Sequence, residues 1–311
     1  MTEHLREWVT VAGSGGHIRA TRNTLTVLKG AGEERYDIGR VGHLIIVGGH
    51  TIHTSAVVAL VRAGATISFF DADGFPAGQI NPPHPQDAKT IRAAQQKVSG
   101  HSAALIFAQA GIDARILAIE RYGNAHGWDL LYEGELELLH RSREELPFLI
   151  RMEEVRRLHK LVSDMYYEIM ARTIPAELGF RRRGRRPHID PVNAMLSFGY
   201  AVLYGSADVA LSAAGLDPDS GTLHEGAGGL IYDIIDGFKP SMIDQTVFSL
   251  ARGGISACDY DTGDRRCYLS ENLIQNLLGG IRRTLDDDPI TAVVRDYACA
   301  LLSGTEFSPV Y

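Results

Sequence analysis

The sequence is poor in cysteine: Cys258, Cys267 and Cys299 are its only three, and no two stand at CxxC spacing. That argues against a disulfide scaffold and a structural zinc site, and it fits a reducing, cytoplasmic setting. No run of 18 or more apolar residues is present, so no membrane span is expected. The N-terminal MTEHLREWVT has no apolar core of signal-peptide length. Positive charge is not in excess: the formal net charge is -7, which excludes a globally basic nucleic-acid binder.

Several chemistries lack a needed partner. Gly13, Gly15 and Gly16 are not followed by GK[ST] or a long helix, which disfavours nucleotide binding. Ser197 has no GxSxG elbow, which disfavours a hydrolase triad with His188 or His224. His43, His50 and His53 fall at a strand-to-helix junction and read as packing or capping residues rather than a metal cluster. Cys258 and Cys267 have no flanking histidine and read as ordinary thiols. Asp259, Asp261 and Asp264 lack the terminal Glu of a calcium loop.

What is present is enough apolar residue for a real core. The chain has 311 residues, 45% of them hydrophobic, so one or two domains are expected. Residues 7–12 and 25–28 are short β-branched runs, with residues 14–17 as a turn between them. Residues 44–47 form a buried-strand candidate, 54–62 a short helix, 66–70 a strand and 71–78 a turn. Residues 81–89 hold Pro82, Pro83 and Pro85 and read as a linker. Beyond it the periodicity is helical, at 90–109, 113–122, 129–141 and 147–170, and again at 245–252 and 271–284. Residues 258–268 form a polar turn or short hairpin, and the tail after Phe307 looks peripheral. The expected fold class is α+β: a small N-terminal β-rich domain over residues 1–80, a linker over 81–89 and a larger all-α C-terminal domain over 90–311.

Three stretches carry candidate chemistry. In residues 216–244, His224 lies in a glycine-rich turn ahead of a helix bearing Asp233 and Asp236. Positions i and i+3 share a helix face, so both carboxylates point one way. An imidazole beside two carboxylates suits a divalent ion, and the plainer alternative is a solvated helix face. On the long helix, Glu154 shares a face with Leu158, Leu161 and Val162, where an acid is costly unless paired. Glu153 turns toward the polar side with Arg156 and Arg157, so Glu154 is the better inward ligand; the alternative is an ion pair to arginine. Third, Arg181, Arg182, Arg183, Arg185 and Arg186 fall within six positions, and a polyanion partner is the economical reading. Asp190 and Pro191 start the next helix, which carries Asn193, Ser197 and Tyr200.

Three motifs are longer. They are GHLIIVGGHTIHTSAVVALVRAGATISFFDADG (residues 42–74), RRPHIDPVNAMLSFGYAVLYG (185–205) and LHEGAGGLIYDIIDGFKPSMID (223–244). With them the chain resembles, over nearly its whole length, the CRISPR-associated integrase/endonuclease family of spacer acquisition and its transposon-encoded relatives, the casposases. The resemblance implies metal ligands at a Glu of the long helix, at the loop His and at an acid of the following helix. The last two fall on His224 and Asp236, with Asp233 one turn earlier. The family's Glu stands in an EG dipeptide, with an aromatic about two turns on. Here MEEVRRLHKLVSDMYY has no Gly, and Tyr166 lies a turn late, so Glu153 and Glu154 both stay open and helical phase favours Glu154.

The resemblance further implies Mg²⁺ or Mn²⁺ as cofactor, and phosphoryl transfer joining 3′-hydroxyl ends of protospacer DNA into a CRISPR array. The arginine run would hold the DNA backbone, Tyr200, Tyr204 or His188 would orient the strand end, and Asn193 would support the site by a hydrogen bond. The expected assembly is a homodimer with a small dimeric CRISPR-associated protein bridging two such dimers. A casposase-type integrase and a non-catalytic DNA-binding scaffold are the alternatives.

Overall fold

Alternating burial along residues 7–80 builds one mixed sheet. The computed structural model describes residues 7–30, 32–72, 76–82, 88–97, 100–263, 265–305 and 307–311. They divide into two units, residues 1–84 and 85–311, each described here by itself. Most of the proline-rich stretch read as a linker lies outside the described residues.

The first unit holds β1 (Glu7–Thr21), β2 (Thr24–Lys29), β3 (Gly32–Asp37), β4 (Val41–Ile52), β5 (Thr66–Phe70) and β6 (Pro76–Ile80). Their order in the sheet is β3-β2-β1-β4-β5-β6. β4 pairs in parallel with β1 and β5, and the other pairings are antiparallel. Helix α1 (Thr54–Arg62) returns the chain between the parallel strands β4 and β5 and buries Ala56 and Leu60. Apolar residues of β1, β2, β4, β5 and α1 form one core, among them Val9, Ile18, Leu25, Leu44, Leu60 and Ile67.

Residues 14–17 are not a turn. β1 runs through them, and a register shift against β4 between Ser14 and His17 absorbs the extra length as a bulge. His50 fixes that bulge: its Nδ1 accepts from the Gly16 amide at 3.0 Å. Gly48, at φ +93°, lies where a Cβ would come within 2.1 Å of the Gly13 carbonyl oxygen. His43 is buried, with its Nε2 2.7 Å from Ser68 Oγ and its ring edge-on to Trp8. These two histidines are therefore packing groups.

The second unit is mainly helical: α2 (Ala88–Gln95), α3 (Gly100–His126), α4 (Glu135–Glu145), α5 (Met152–Ala171), α6 (Pro191–Ala214), α7 (Gly229–Ile235), α8 (Gln245–Arg252), α9 (Glu271–Thr284) and α10 (Asp287–Ser303). A two-stranded hairpin, β7 (Tyr260–Thr262) and β8 (Cys267–Leu269), interrupts it where a polar turn or hairpin was expected. α6 is buried along most of its length and is the central element. It is capped by Asp190, whose side chain accepts from the Asn193 amide at 2.7 Å. By length and composition alone α3 and α6 could each cross a membrane, but 83% of the apolar stretch of α6 and 50% of that of α3 are buried inside the structure, as in core helices.

α3 continues through Gly111, a residue that disfavours helix interiors. A Cβ there would meet Asp236 Oδ2 at 2.1 Å, so the glycine admits that carboxylate. The tail is not peripheral either. The Phe307 ring packs between Phe107 and Tyr297, and Tyr311 lies 4.7 Å from the Phe238 ring.

Burial pulls the His43 pKa down to about 4. Between that value and 6.5 the unfolded chain binds more protons than the folded one, so stability rises with pH across the window. Acidification from pH 7 to 4 is expected to cost about 3 kcal/mol through His43 alone. Urea unfolding of the wild type against His43→Gln checks it: the variant should lose that part of the slope, and equal slopes would refute the assignment.

Candidate catalytic pocket

A glycine-rich loop is folded around one buried carboxylate. Asp233, on α7, is 0% exposed. Its Oδ2 accepts from the amides of Thr222 (2.6 Å) and Leu223 (3.1 Å) and from Thr222 Oγ1 (3.1 Å). Its Oδ1 accepts from the His224 amide (2.8 Å) and lies 2.9 Å from His224 Nδ1. Three successive residues are thus pinned to one side chain, and the His224 ring is fixed with Nε2 as its unengaged nitrogen. Gly221 and Gly229 permit the close turn: a Cβ on either would come within 2.4 Å of the His224 carbonyl oxygen. Arg156 of α5 clamps the loop from outside, donating to the carbonyls of Leu223 (2.9 Å) and Thr222 (3.0 Å) and pairing with Glu225 (2.6 Å).

One turn on, Asp236 is 1% exposed. Arg115 of α3 grips it bidentately, Nη1 to Oδ2 at 2.8 Å and Nη2 to Oδ1 at 2.9 Å. Lys239 Nζ donates to Oδ1 at 2.9 Å, and His159 Nε2 lies 2.7 Å from Oδ2. Burial pushes the Asp236 carboxyl up, but Arg115, Lys239 and His159 outweigh it and hold it well below the usual carboxylate range. Burial lowers the His159 pKa, with Asp236 opposing. The His159 and His224 rings stand 5.8 Å apart and perpendicular.

The structure thus brings His224, Asp233 and Asp236 into one buried cluster and adds His159, while Glu154, the expected ligand, lies outside it. The buried stripe of α5 is Val155, His159, Val162 and Tyr166. Glu153 and Glu154 are both exposed in the first turn. Glu154 precedes His159 by five residues, so it projects about 140° around the helix axis from it. The phase argument failed because Leu158 is only half-buried and Leu161 is 47% exposed. The usable signal was spacing: two turns before Tyr166 stands His159.

The arginine run splits in function. Arg181, Arg182, Arg185 and Arg186 are exposed, and Arg182 reaches Glu168 at 3.6 Å. Arg183 is half-buried and ties the segment to α6, donating to Asn193 Oδ1 (2.8 Å) and Ser197 Oγ (2.6 Å). Asn193 completes the anchor by accepting from the Gly184 amide and donating to the Arg182 carbonyl, both at 3.0 Å. His188 Nε2 lies 2.6 Å from Ser197 Oγ, and burial, aided by Arg183 and Arg186, lowers its pKa to about 4. Tyr200 donates to buried Asp244, whose carboxyl burial pushes up to about 6. Tyr204 packs on Tyr232, beside the His224 ring. Cys258, Cys267 and Cys299 are free thiols.

Among the described residues, no three His, Cys, Asp or Glu side chains form a ready metal cage. The donors that converge are two imidazoles and one carboxylate, and Asp233 holds His224 in the way carboxylates orient metal-binding histidines. As placed, that set does not fit a divalent ion, since the single facing carboxylate already satisfies Arg115, Lys239 and His159.

A mixed-sheet unit and a helical unit carrying a buried His/Asp cluster and an exposed arginine run define an α+β protein with a candidate site in its helical part. The family model described as "CRISPR associated protein Cas1" matches residues 9–283, and the chain belongs to that family. A CRISPR-associated endonuclease Cas1 from Methanospirillum hungatei is 35% identical over 96% of this chain and 99% of its own. One from Thermus thermophilus is 30% identical over 88% of each chain. Among solved structures, a casposase bound to integration product matches with TM-score 0.86 at 19% identity, over 97% of this chain and 93% of that one. A Cas1 protein from Thermotoga maritima matches with TM-score 0.82 at 17% identity, over 98% and 100%. These structural likenesses establish the fold. The nuclease family implies use of a divalent metal.

Truncating Asp233 would strip the loop of its common acceptor. Asp233→Ala is expected to destabilise the helical unit by about 3 kcal/mol or more, since each buried donor left unpaired costs about 1–3 kcal/mol. Urea unfolding measures this, and a loss under about 1 kcal/mol would show that the loop holds without it.

Proposed function

We propose that this chain is a DNA endonuclease/integrase of CRISPR adaptation, joining the 3′-hydroxyl ends of protospacer DNA to the CRISPR repeat by phosphodiester exchange. The observation that carries the reading is the cluster itself: His224 is locked by Asp233 and stands beside His159, which reaches Asp236, in a chain matching the Cas1 model over residues 9–283.

Phosphoryl transfer asks a protein mainly for positioning and charge neutralisation. The exposed Arg181, Arg182, Arg185 and Arg186 neutralise DNA phosphates, while Arg183 holds their backbone in place rather than binding DNA. His224 presents Nε2 to the pocket with its orientation set by Asp233. Lys239 and Arg115 fix both oxygens of Asp236. The family implies a divalent ion, Mg²⁺ or Mn²⁺, which would supply Lewis-acid stabilisation of charge on the phosphoryl oxygens; to hold one, Asp236 would have to part from Arg115 or Lys239.

Joining two DNA ends at a fixed spacing calls for a symmetric homodimer. A small dimeric CRISPR-associated partner bridging two such dimers is the assembly we infer, supported by the likeness to a Cas6-RT-Cas1–Cas2 complex, TM-score 0.83. The three free thiols suit a cytoplasmic location. Glu154's exposure favours a second reading, a DNA-binding scaffold without catalysis.

An integration assay separates the two, with a short duplex, a supercoiled plasmid and Mn²⁺ with or without chelator. Wild type should join the DNA, and His224→Ala should lose about a hundredfold or more in joining while DNA binding persists. Unchanged joining in that variant would refute the site. Tight binding without joining by the wild type would establish the scaffold reading. Arg181→Ala/Arg185→Ala should weaken binding and lower the salt slope by about 2.

A further inference from the structure

We propose that the helical unit holds a second binding site, a half-open cavity between α3, α5, α8 and the tail, and that it takes a small organic anion: a flat apolar body carrying one carboxylate, sulfonate or phosphate group. The inference does not depend on the integrase reading, since His159, His224 and Asp236 do not line this cavity.

The first support is shape. The cavity measures about 740 Å³. Sites that hold single small molecules span roughly 300–1,000 Å³. On α3 the lining residues Ala110, Ala114 and Ala118 recur at every fourth position, so one stripe of that helix carries only methyl groups. Met170 of α5 and Phe248 of α8 add apolar wall. Residues 307–311 of the tail form a further wall, and they are held in place: Phe307 packs on Phe107 and Tyr297, and Tyr311 on Phe238. Leu117, also on the lining, is left 43% exposed. An apolar body entering the cavity removes this surface from water.

The second support is an unpaired cation. Arg252, the last residue of α8, lines the cavity and is half-buried. Its Nη1 donates to Thr173 Oγ1 at 3.2 Å, and its guanidinium lies 4.8 Å from the centre of the Tyr122 ring. His126 stacks on the same ring at 4.4 Å, which fixes it. Among the described residues no carboxylate pairs with Arg252. Burial lowers its pKa, opposed only by Tyr122 and Tyr166. A guanidinium carries five N–H donors, so most of its capacity is free for an anion, and its fork matches a carboxylate or a phosphate.

The third support is the sign of the local charge. Arg121 lines the same cavity and is exposed. Asp113 is the one acidic side chain on the lining, and Arg143 engages both of its oxygens. Two arginines and one neutralised acid leave a positive field, which draws an anion and repels a cation. An Arg252 that served only to complement the C-terminal end of α8 would leave ligand affinity unchanged when removed.

The test is equilibrium binding of two probes to the full chain, read by their fluorescence. One is 8-anilinonaphthalene-1-sulfonate. The other is N-phenyl-1-naphthylamine, the same body without the sulfonate. Wild type should bind one sulfonate probe per chain, about tenfold or more tighter than the neutral probe. Arg252→Met should abolish that preference, weakening the sulfonate about tenfold or more and leaving the neutral probe within about twofold. Ala114→Phe, which fills the cavity, should weaken both probes about tenfold or more.

Wild type binding both probes alike, or Arg252→Met keeping the sulfonate affinity, would overturn the inference. So would sulfonate binding unchanged in Ala114→Phe, which would place the probe elsewhere. Binding of neither probe by the wild type would also overturn it and leave the groove to a protein segment. If Arg252→Met fails to fold, the wild-type preference and Ala114→Phe still decide.

Discussion

Asp236 is an ionised group almost wholly removed from water, and the helical unit is arranged to make that tolerable. A lone carboxylate in such a place costs several kcal/mol or more. Here α3 supplies Arg115, α5 supplies His159, and Lys239 comes from just beyond α7. Each of these elements is held to α7 through a polar group on Asp236. Breaking the set at any one member leaves the rest buried and uncompensated, which is costlier than the pair's own worth. The pocket is consequently a structural keystone as well as the candidate site of chemistry.

The same logic governs the loop before α7. Backbone amides in a tight turn need acceptors, and the 220–229 segment has little regular structure to provide them. Asp233 provides them from a neighbouring helix, and in doing so sets the orientation of His224. A carboxylate that looks like a second ligand by its spacing from Asp236 is instead the organiser of the first. The Arg181–Arg186 segment repeats the device on α6, where Asn193 and Ser197 hold Arg183 so that its neighbours face outward.

Much of this was legible beforehand. Long motifs carried the family, the strand runs carried the β-rich first unit, and the Asp190-Pro191 pair marked the start of α6. His224, Asp233 and Asp236 were singled out by the loop-helix spacing, and the resemblance picked Asp236 over Asp233. What failed did so for identifiable reasons. The 14–17 segment looks like a turn because glycine and serine dominate it, but a bulge lets β1 pass through. Glu154 was chosen by counting Leu158 and Leu161 as inward, and long aliphatic side chains at a helix margin do not report burial. His159 was passed over because a histidine among Arg157, Leu158 and Lys160 reads as surface. Only its distance from Tyr166 marks it. Arg115 carried no sequence signal, since its partner lies 121 positions away.

Gly111 adds a mechanical property to this chemistry. α3 is 27 residues long, and where its backbone comes closest to Asp236 Oδ2 it carries Gly111, with no side chain. Advancing the helix by one residue as a screw, about 1.5 Å along its axis and 100° around it, would drive the Cβ of Ala110 or Ile112 toward that oxygen. The helix is therefore a bolt seated in a single notch. A pull or push applied anywhere along its length is either resisted as a whole or felt at the carboxylate.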